Sequence, residues 1–240
     1  MSLLTVSGLT KRFGGVVANR DVSFDVKPGE LVGVIGPNGA GKSTLFDLIT
    51  GFVRPEAGDV RLDGRSVVGR RPDEIGRLGV ARTFQKLRPF PEMTVVENVM
   101  IGAFQKTRDP APARAAALQA LDAVGLADRA QAYARALSTG QRKRLELARA
   151  LATEPRLLLL DEVTGGVDQA TIPALVRLVR ALHARGLALI VIEHNMRVIM
   201  EIAERIVALQ HGEVIASGTP SEIINDRRVI DAYLGEAWRA

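Results

Sequence analysis

Nine consecutive residues constrain this chain more than any other feature: positions 36–44 read GPNGAGKST. They follow the unbroken apolar run 31–35, the pattern of a buried central strand, and they lead into 44–49, a helical apolar pattern closed by Gly51. Gly36, four residues, Gly41, Lys42 and Ser43 complete a phosphate loop. Each residue type has a task. Gly36, Gly39 and Gly41 let the backbone turn tightly enough to aim its N–H groups at phosphate oxygens, and the following helix adds its unsatisfied N-terminal donors. Lys42 supplies a point charge for β- and γ-phosphates, and the Ser43 hydroxyl can ligate Mg²⁺. An ordinary glycine-rich turn capping a helix is the plain alternative, and the strand–loop–helix setting argues against it. Gly36, Pro37, Asn38, Gly39, Ala40, Gly41, Lys42, Ser43 and Thr44 are therefore the candidate nucleotide-binding residues.

A second apolar run, 157–160, delivers Asp161 and Glu162 at its C-terminal end. Ligands of open α/β sheets lie in the crevice at that edge. Asp161 is placed to hold Mg²⁺, and Glu162 to polarise a water attacking the γ-phosphate. A third run, 187–192, ends in Glu193-His194-Asn195. A lone histidine at a strand end is more often a satisfied structural residue. With three parallel strands ending on one edge, however, His194 comes near Lys42 and Glu162 and can hydrogen-bond the γ-phosphate or the water.

The rest of the chain fits an α/β domain with a helical insert. Strands are expected at 3–6, 21–26, 59–62 and 80–84, with Gly14-Gly15 and Pro28-Gly29 as turns. Segments 94–106, 113–124 and 141–153 are rich in Ala, Leu, Arg and Glu, which favour helix. A helix at 172–183 between two strand-like runs gives a βαβ rhythm and hence a parallel sheet. A late hairpin, 205–209 and 213–217, turns at His211-Gly212 before a helical tail. The absence of cysteine excludes disulfides, thiolate metal sites and a cysteine nucleophile, and three histidines leave little for a histidine-rich metal centre. The net charge of +5 permits a phosphate ligand, nucleic acid or an anionic membrane surface and selects none. The run 187–192 is far short of the about 20 residues that span a bilayer, and residues 1–13 lack the order of a secretory signal. A membrane role would need another chain to do the spanning.

Residues 137–141 read LSTGQ and open a helix, with Ser138 suited to cap it and Gly140 to let backbone approach a ligand. A capped helix would account for this string alone. With the other pieces it resembles the signature motif of ABC ATPases, usually LSGGQ, and the order of parts matches over essentially the whole chain: phosphate loop, Gln85, 137–141, Asp161-Glu162, Asp168, His194. The resemblance implies a P-loop NTPase fold of the α/β class: a mainly parallel sheet, an N-terminal antiparallel β subdomain and an inserted α-helical subdomain. It implies one ATP-binding domain over 1–240, with 1–85 and 155–240 as core and about 86–154 as the helical part. It assigns adenine stacking to Phe13, the Mg²⁺–water region to Gln85, and the D-loop to Asp168. Ser138, Thr139, Gly140 and Gln141 would face the ATP of a partner subunit, so that two chains sandwich two ATP molecules. Thr139 departs from the first signature glycine, and VTGGV at 163–167 from the usual PTSAL-like run.

Segment 84–104, FQKLRPFPEMTVVENVMIGAF, and the ending 212–236 are similar to ATPase subunits of branched-chain amino acid importers, the LivG-like group. Related amide, urea or aromatic-acid uptake systems are the near alternative, because such a subunit never touches the cargo. The resemblance implies integral-membrane permeases as partners, indirectly a substrate-binding protein, and a peripheral place on the cytoplasmic face of the inner membrane. ABC ATPases acting on nucleic acid are the more distant alternative. They are disfavoured by a single cassette, by the lack of a heptad run between Thr44 and Leu137, and by basic residues scattered without interleaved aromatics. A small-molecule kinase built on a phosphate loop explains neither LSTGQ nor Glu162.

Overall fold

The computed structural model describes residues 1–84 and 89–234. Two sheets organise the chain. The first is antiparallel, in the order β2–β1–β4–β5, from β1 (Leu4–Phe13), β2 (Val16–Val26), β4 (Ala57–Leu62) and β5 (Arg65–Ser66). The second runs β10–β9–β3–β8–β7–β6, from β3 (Leu31–Ile35), β6 (Val80–Arg82), β7 (Leu157–Asp161), β8 (Ala188–Ile192), β9 (Arg205–Gln210) and β10 (Glu213–Gly218). Its neighbours are parallel from β9 to β6, and only the β9–β10 hairpin is antiparallel.

The central strands are apolar on both faces because each face meets a different core. Leu31 and Ile35 of β3, Leu158 and Leu160 of β7, and Leu189 and Val191 of β8 enter one core with the helices. Val32 and Val34, Leu157 and Leu159, and Ile190 and Ile192 alternate into the other, shared with the antiparallel sheet and with α1 (Lys42–Ile49). The period-two geometry of a strand thus splits a continuous apolar run between two layers. After α2 (Pro72–Arg77), the long connection from β6 to β7 holds α3 (Val95–Ala103), α4 (Pro110–Ala123) and α5 (Thr139–Leu151). The remaining crossovers are α6 (Ile172–Ala184) and α7 (Met196–Ile202), and α8 (Pro220–Asn225) follows β10.

Several bounds differ from the sequence expectation. Strands expected at 3–6 and 21–26 extend into a long hairpin meeting at Gly14-Gly15, because bulges between Val6 and Arg12 shift the register and break the alternation that a sequence pattern needs. The strand expected at 80–84 stops at Arg82. There the Asp161 N–H donates to the Thr83 hydroxyl at 3.1 Å, so a side chain takes over from the backbone ladder. Helix α4 starts earlier than expected because Pro110 stands at its first position, where no N–H is needed, behind the capping carboxylate of Asp109. Among the described residues, no helix is long and apolar enough to cross a membrane.

Candidate nucleotide site

The loop between β3 and α1 is fixed by close backbone approach. A Cβ at Gly36 would lie 2.2 Å from the Leu209 carbonyl oxygen, and one at Gly41 equally close to that of Ala18. Both glycines have positive φ, as does Gly39. Asn19, fully buried on β2, donates to the Gly41 carbonyl at 3.3 Å, and the Gly212 N–H donates to that of Ala40. The hairpins β1–β2 and β9–β10 therefore clamp the loop from two sides.

The loop opens on a cleft of about 270 Å³, lined by Val16, Val17 and Ala18, by residues 38–44, and by Glu162, Ile192 and His194. Lys42 is buried and folds back on its own loop, donating to the carbonyls of Gly36 at 2.7 Å and Pro37 at 3.0 Å. Burial pulls its ammonium below the usual lysine range, while Glu162 and Asp161 pull the other way. Ser43 is exposed at the cleft.

Strands β7 and β8 bring the other groups to the same edge. His194 Nε2 lies 2.7 Å from Glu162 Oε1. Glu162 adopts φ 53°, a left-handed conformation uncommon for a non-glycine residue and frequent at functional sites. Asp161 is buried and bound to Arg82, whose Nη2 donates to Asp161 Oδ2 at 3.1 Å. Burial raises the Asp161 carboxyl, opposed by the Arg82 guanidinium. Among the described residues no cluster of three or more His, Cys, Asp or Glu side chains could hold a metal alone. The hard oxygens present, the Ser43 hydroxyl and the Asp161 carboxylate, suit an ion that takes most of its ligands from phosphate and water, as Mg²⁺ does.

Other expected residues lie elsewhere. Phe13 is half-exposed at the end of β1, opposite Val16 of the cleft wall, with the Lys11 ammonium 5.4 Å from its ring centre. None of Ser138, Thr139, Gly140, Gln141 or Asp168 lines the cleft. Ser138 caps α5 as expected: its Oγ accepts the Gln141 N–H, and Gln141 Oε1 accepts the Ser138 N–H. A Cβ at Gly140 would lie 2.8 Å from Thr171 Cγ2 of the same chain. Asp168 accepts from both the N–H and the hydroxyl of Thr171, which holds its carboxyl below the usual range. Gln85 lies outside the described residues. Sequence reasoning missed Arg82, Lys143, Glu193 and Asn19, whose partners stand tens of residues away or on another strand and leave no local signature.

A glycine-rich loop between a parallel strand and a helix, with paired acids and a histidine delivered to the same edge, defines a P-loop nucleotide hydrolase. Residues 19–165 match the family described as ABC transporter, and residues 213–238 the one described as branched-chain amino acid ATP-binding cassette transporter. The high-affinity branched-chain amino acid transport ATP-binding protein LivG of Salmonella typhimurium is 40% identical over 253 residues, covering 98% of both chains. A nucleotide-free ATP-binding cassette from an ABC transporter superposes with a TM-score of 0.89 at 30% identity, over 98% of this chain and 100% of that one. A dimeric bacterial ABC transporter cassette gives 0.81 at 30% identity, over 90% and 98%. The chain belongs to the ABC transporter family of ATP-binding proteins. It is a nucleotide-binding ATPase.

Proposed function

We propose that this chain powers a membrane importer for branched-chain amino acids. One observation carries the cargo assignment: the match of residues 213–238 to the branched-chain cassette family, outside the residues 19–165 that match the general ABC transporter family. The full-length similarity to LivG supports it.

In this reading residues 36–44 cradle the phosphates, and Lys42 exchanges the Gly36 and Pro37 carbonyls for β- and γ-phosphate oxygens. Phe13 stacks on adenine. Ser43, Asp161 and Gln85 would hold Mg²⁺, which neutralises phosphate charge when bound. Glu162 takes the proton of the attacking water, and His194, bonded to Glu162 Oε1, fixes where that carboxylate points. Ser138, Thr139, Gly140 and Gln141 serve the nucleotide of a second ATP-binding subunit, with Asp168 at the contact. Their place away from the cleft of their own chain supports this division of labour. The core is 1–85 and 155–240, and α3, α4 and α5 make up the helical part, about 86–154.

Integral-membrane permease subunits are the remaining partners, with a substrate-binding protein beyond them, and the chain sits peripherally on the cytoplasmic face. A largely apolar groove of about 610 Å³ between β6, α3 and α5, with Phe84, Phe90 and Ile101 exposed at it, supports a permease contact. Nucleic acid has no part.

The test is copurification of the chain from a detergent extract, followed by reconstitution. Integral-membrane permeases should accompany it, and leucine, isoleucine or valine on the binding protein should stimulate ATPase activity. Stimulation by urea, an amide or an aromatic acid instead would refute the cargo. Glu162→Gln should bind ATP normally, lose roughly 10²-fold or more in turnover, and become dimeric in Mg-ATP on sizing. Turnover at the wild-type rate would remove Glu162 from the mechanism.

A further inference from the structure

The left-handed conformation of Glu162 is held from several sides. Its N–H donates to the Ile192 carbonyl at 3.0 Å, and its own carbonyl accepts the Lys143 ammonium at 2.6 Å. Two residues on, the Thr164 N–H and hydroxyl donate to the two oxygens of Glu193 at 2.7 and 2.9 Å. Glu193 is 2% exposed and Lys143 8%. Burying an ammonium and a carboxylate is expensive, and a solvated position would serve either better. A strained backbone conformation persists only where its surroundings over-determine it, and these two ions supply that determination.

The elements they come from matter. Glu193 directly follows β8 and precedes His194. Lys143 stands on α5, just over one turn beyond Ser138. The helix that presents Ser138–Gln141 is therefore bonded to the backbone of Glu162 in the same chain.

We propose that Lys143 and Glu193 are positioning residues that hold Glu162 in its catalytic conformation, and that Lys143 makes this conformation depend on where the signature helix of the same chain sits. The inference rests on the reading of Glu162 as the general base. When α5 shifts against β7, the Lys143 ammonium moves with it, the carbonyl of Glu162 loses its donor, and the carboxylate turns away from His194 and the cleft. Hydrolysis at a chain's own nucleotide is thereby licensed by the same helix that engages the partner's.

The test uses the full chain with Lys143→Met, Lys143→Arg and Thr164→Val. Nucleotide affinity is measured by calorimetry, kcat and KM with Mg-ATP, folding by thermal midpoint, and association by sizing in Mg-ATP. Lys143→Met should lose about tenfold or more in kcat, the scale of a misplaced catalytic group, with ATP affinity within about twofold of wild type. Its Mg-ATP dimer should outlast that of the wild type, because the nucleotide stays intact. Lys143→Arg should recover most of the turnover. Thr164→Val, which loosens the same loop from the Glu193 side, should lose kcat selectively as well. Wild-type kcat in folded Lys143→Met overturns the proposal, as does a loss of ATP affinity and thermal midpoint with kcat intact. If Lys143→Met fails to fold, full kcat in Thr164→Val overturns it. Glu162→Gln separates the two levels: a stalled Glu162→Gln beside a fully active Lys143→Met refutes the strut alone, whereas an active Glu162→Gln refutes the reading beneath it.

Discussion

Replacing Arg82 by methionine should destabilise the fold far more than a single side chain at a strand end suggests. The Arg82 side chain is 7% exposed and its guanidinium joins two carboxylates. Nη1 donates to Asp47 Oδ1 at 2.5 Å, but Asp47 is more than a third exposed, and such a pair is worth at most about 1 kcal/mol. Nη2 donates at 3.1 Å to Asp161, which is 3% exposed. Removing one partner of a buried pair leaves an uncompensated charge and costs about 3–5 kcal/mol. Methionine keeps part of the packing of the guanidinium over Phe46 and Phe84, so the electrostatic loss dominates. At about 2–4 °C per kcal/mol for a chain of this size, the midpoint should fall by about 6–20 °C. Asp47→Asn should cost no more than about 1 kcal/mol.

The loss should also depend on pH. Without Arg82, burial acts unopposed on Asp161 and pushes its carboxyl further above the usual range. A group whose folded value lies above its unfolded value binds its proton first in the folded state. Stability is then greatest at low pH and falls as pH rises through the folded value. Urea denaturation of wild type, Arg82→Met, Asp161→Asn and the double variant gives the coupling directly. In the Asp161→Asn background, Arg82→Met should cost less than about half as much. Equal costs in the two backgrounds would refute the reasoning.

Lys42→Ala should abolish productive ATP binding, and wild-type affinity by calorimetry would refute the assignment of the loop. Phe13→Ala should weaken ADP and ATP alike, by about 1–3 kcal/mol, because stacking is remote from the γ-phosphate; calorimetry with both nucleotides checks it, and a loss confined to ATP would remove Phe13 from the adenine site. Burial holds Glu193 above the usual carboxylate range, so its folded value exceeds the unfolded one and its contribution to stability falls as pH rises through the folded value. Glu193→Gln keeps an acceptor for the Thr164 N–H and removes this slope, so its stability relative to wild type should improve as pH rises in urea titrations.

The phosphate loop, the three strands that meet at the cleft and the cap of α5 were legible because each is written in neighbouring residues. A period, a glycine spacing or a Ser-x-x-Gln pattern needs only a few consecutive positions. The β1–β2 hairpin was only half legible, since its bulges erase the alternation by which a strand announces itself. The supports of the site were not legible at all. Arg82 reaches partners 35 and 79 residues away, and Lys143 reaches across 19 to a backbone oxygen that no residue type encodes. The left-handed φ of Glu162 is likewise invisible, because it is imposed by neighbours in space and not by the identity of the residue.

The folded-back lysine has a consequence for the interval between one ATP and the next. The carbonyls of Gly36 and Pro37 give the buried ammonium of Lys42 two acceptors within its own loop, so its charge is met there without a phosphate. The loop itself is held by β9 at Gly36 and by β2 at Gly41, independently of what its lysine bonds. In the proposed reading, phosphate binding is an exchange of these two carbonyl oxygens for phosphate oxygens. A loop fixed by its neighbouring hairpins presents its donors without first having to fold around a ligand.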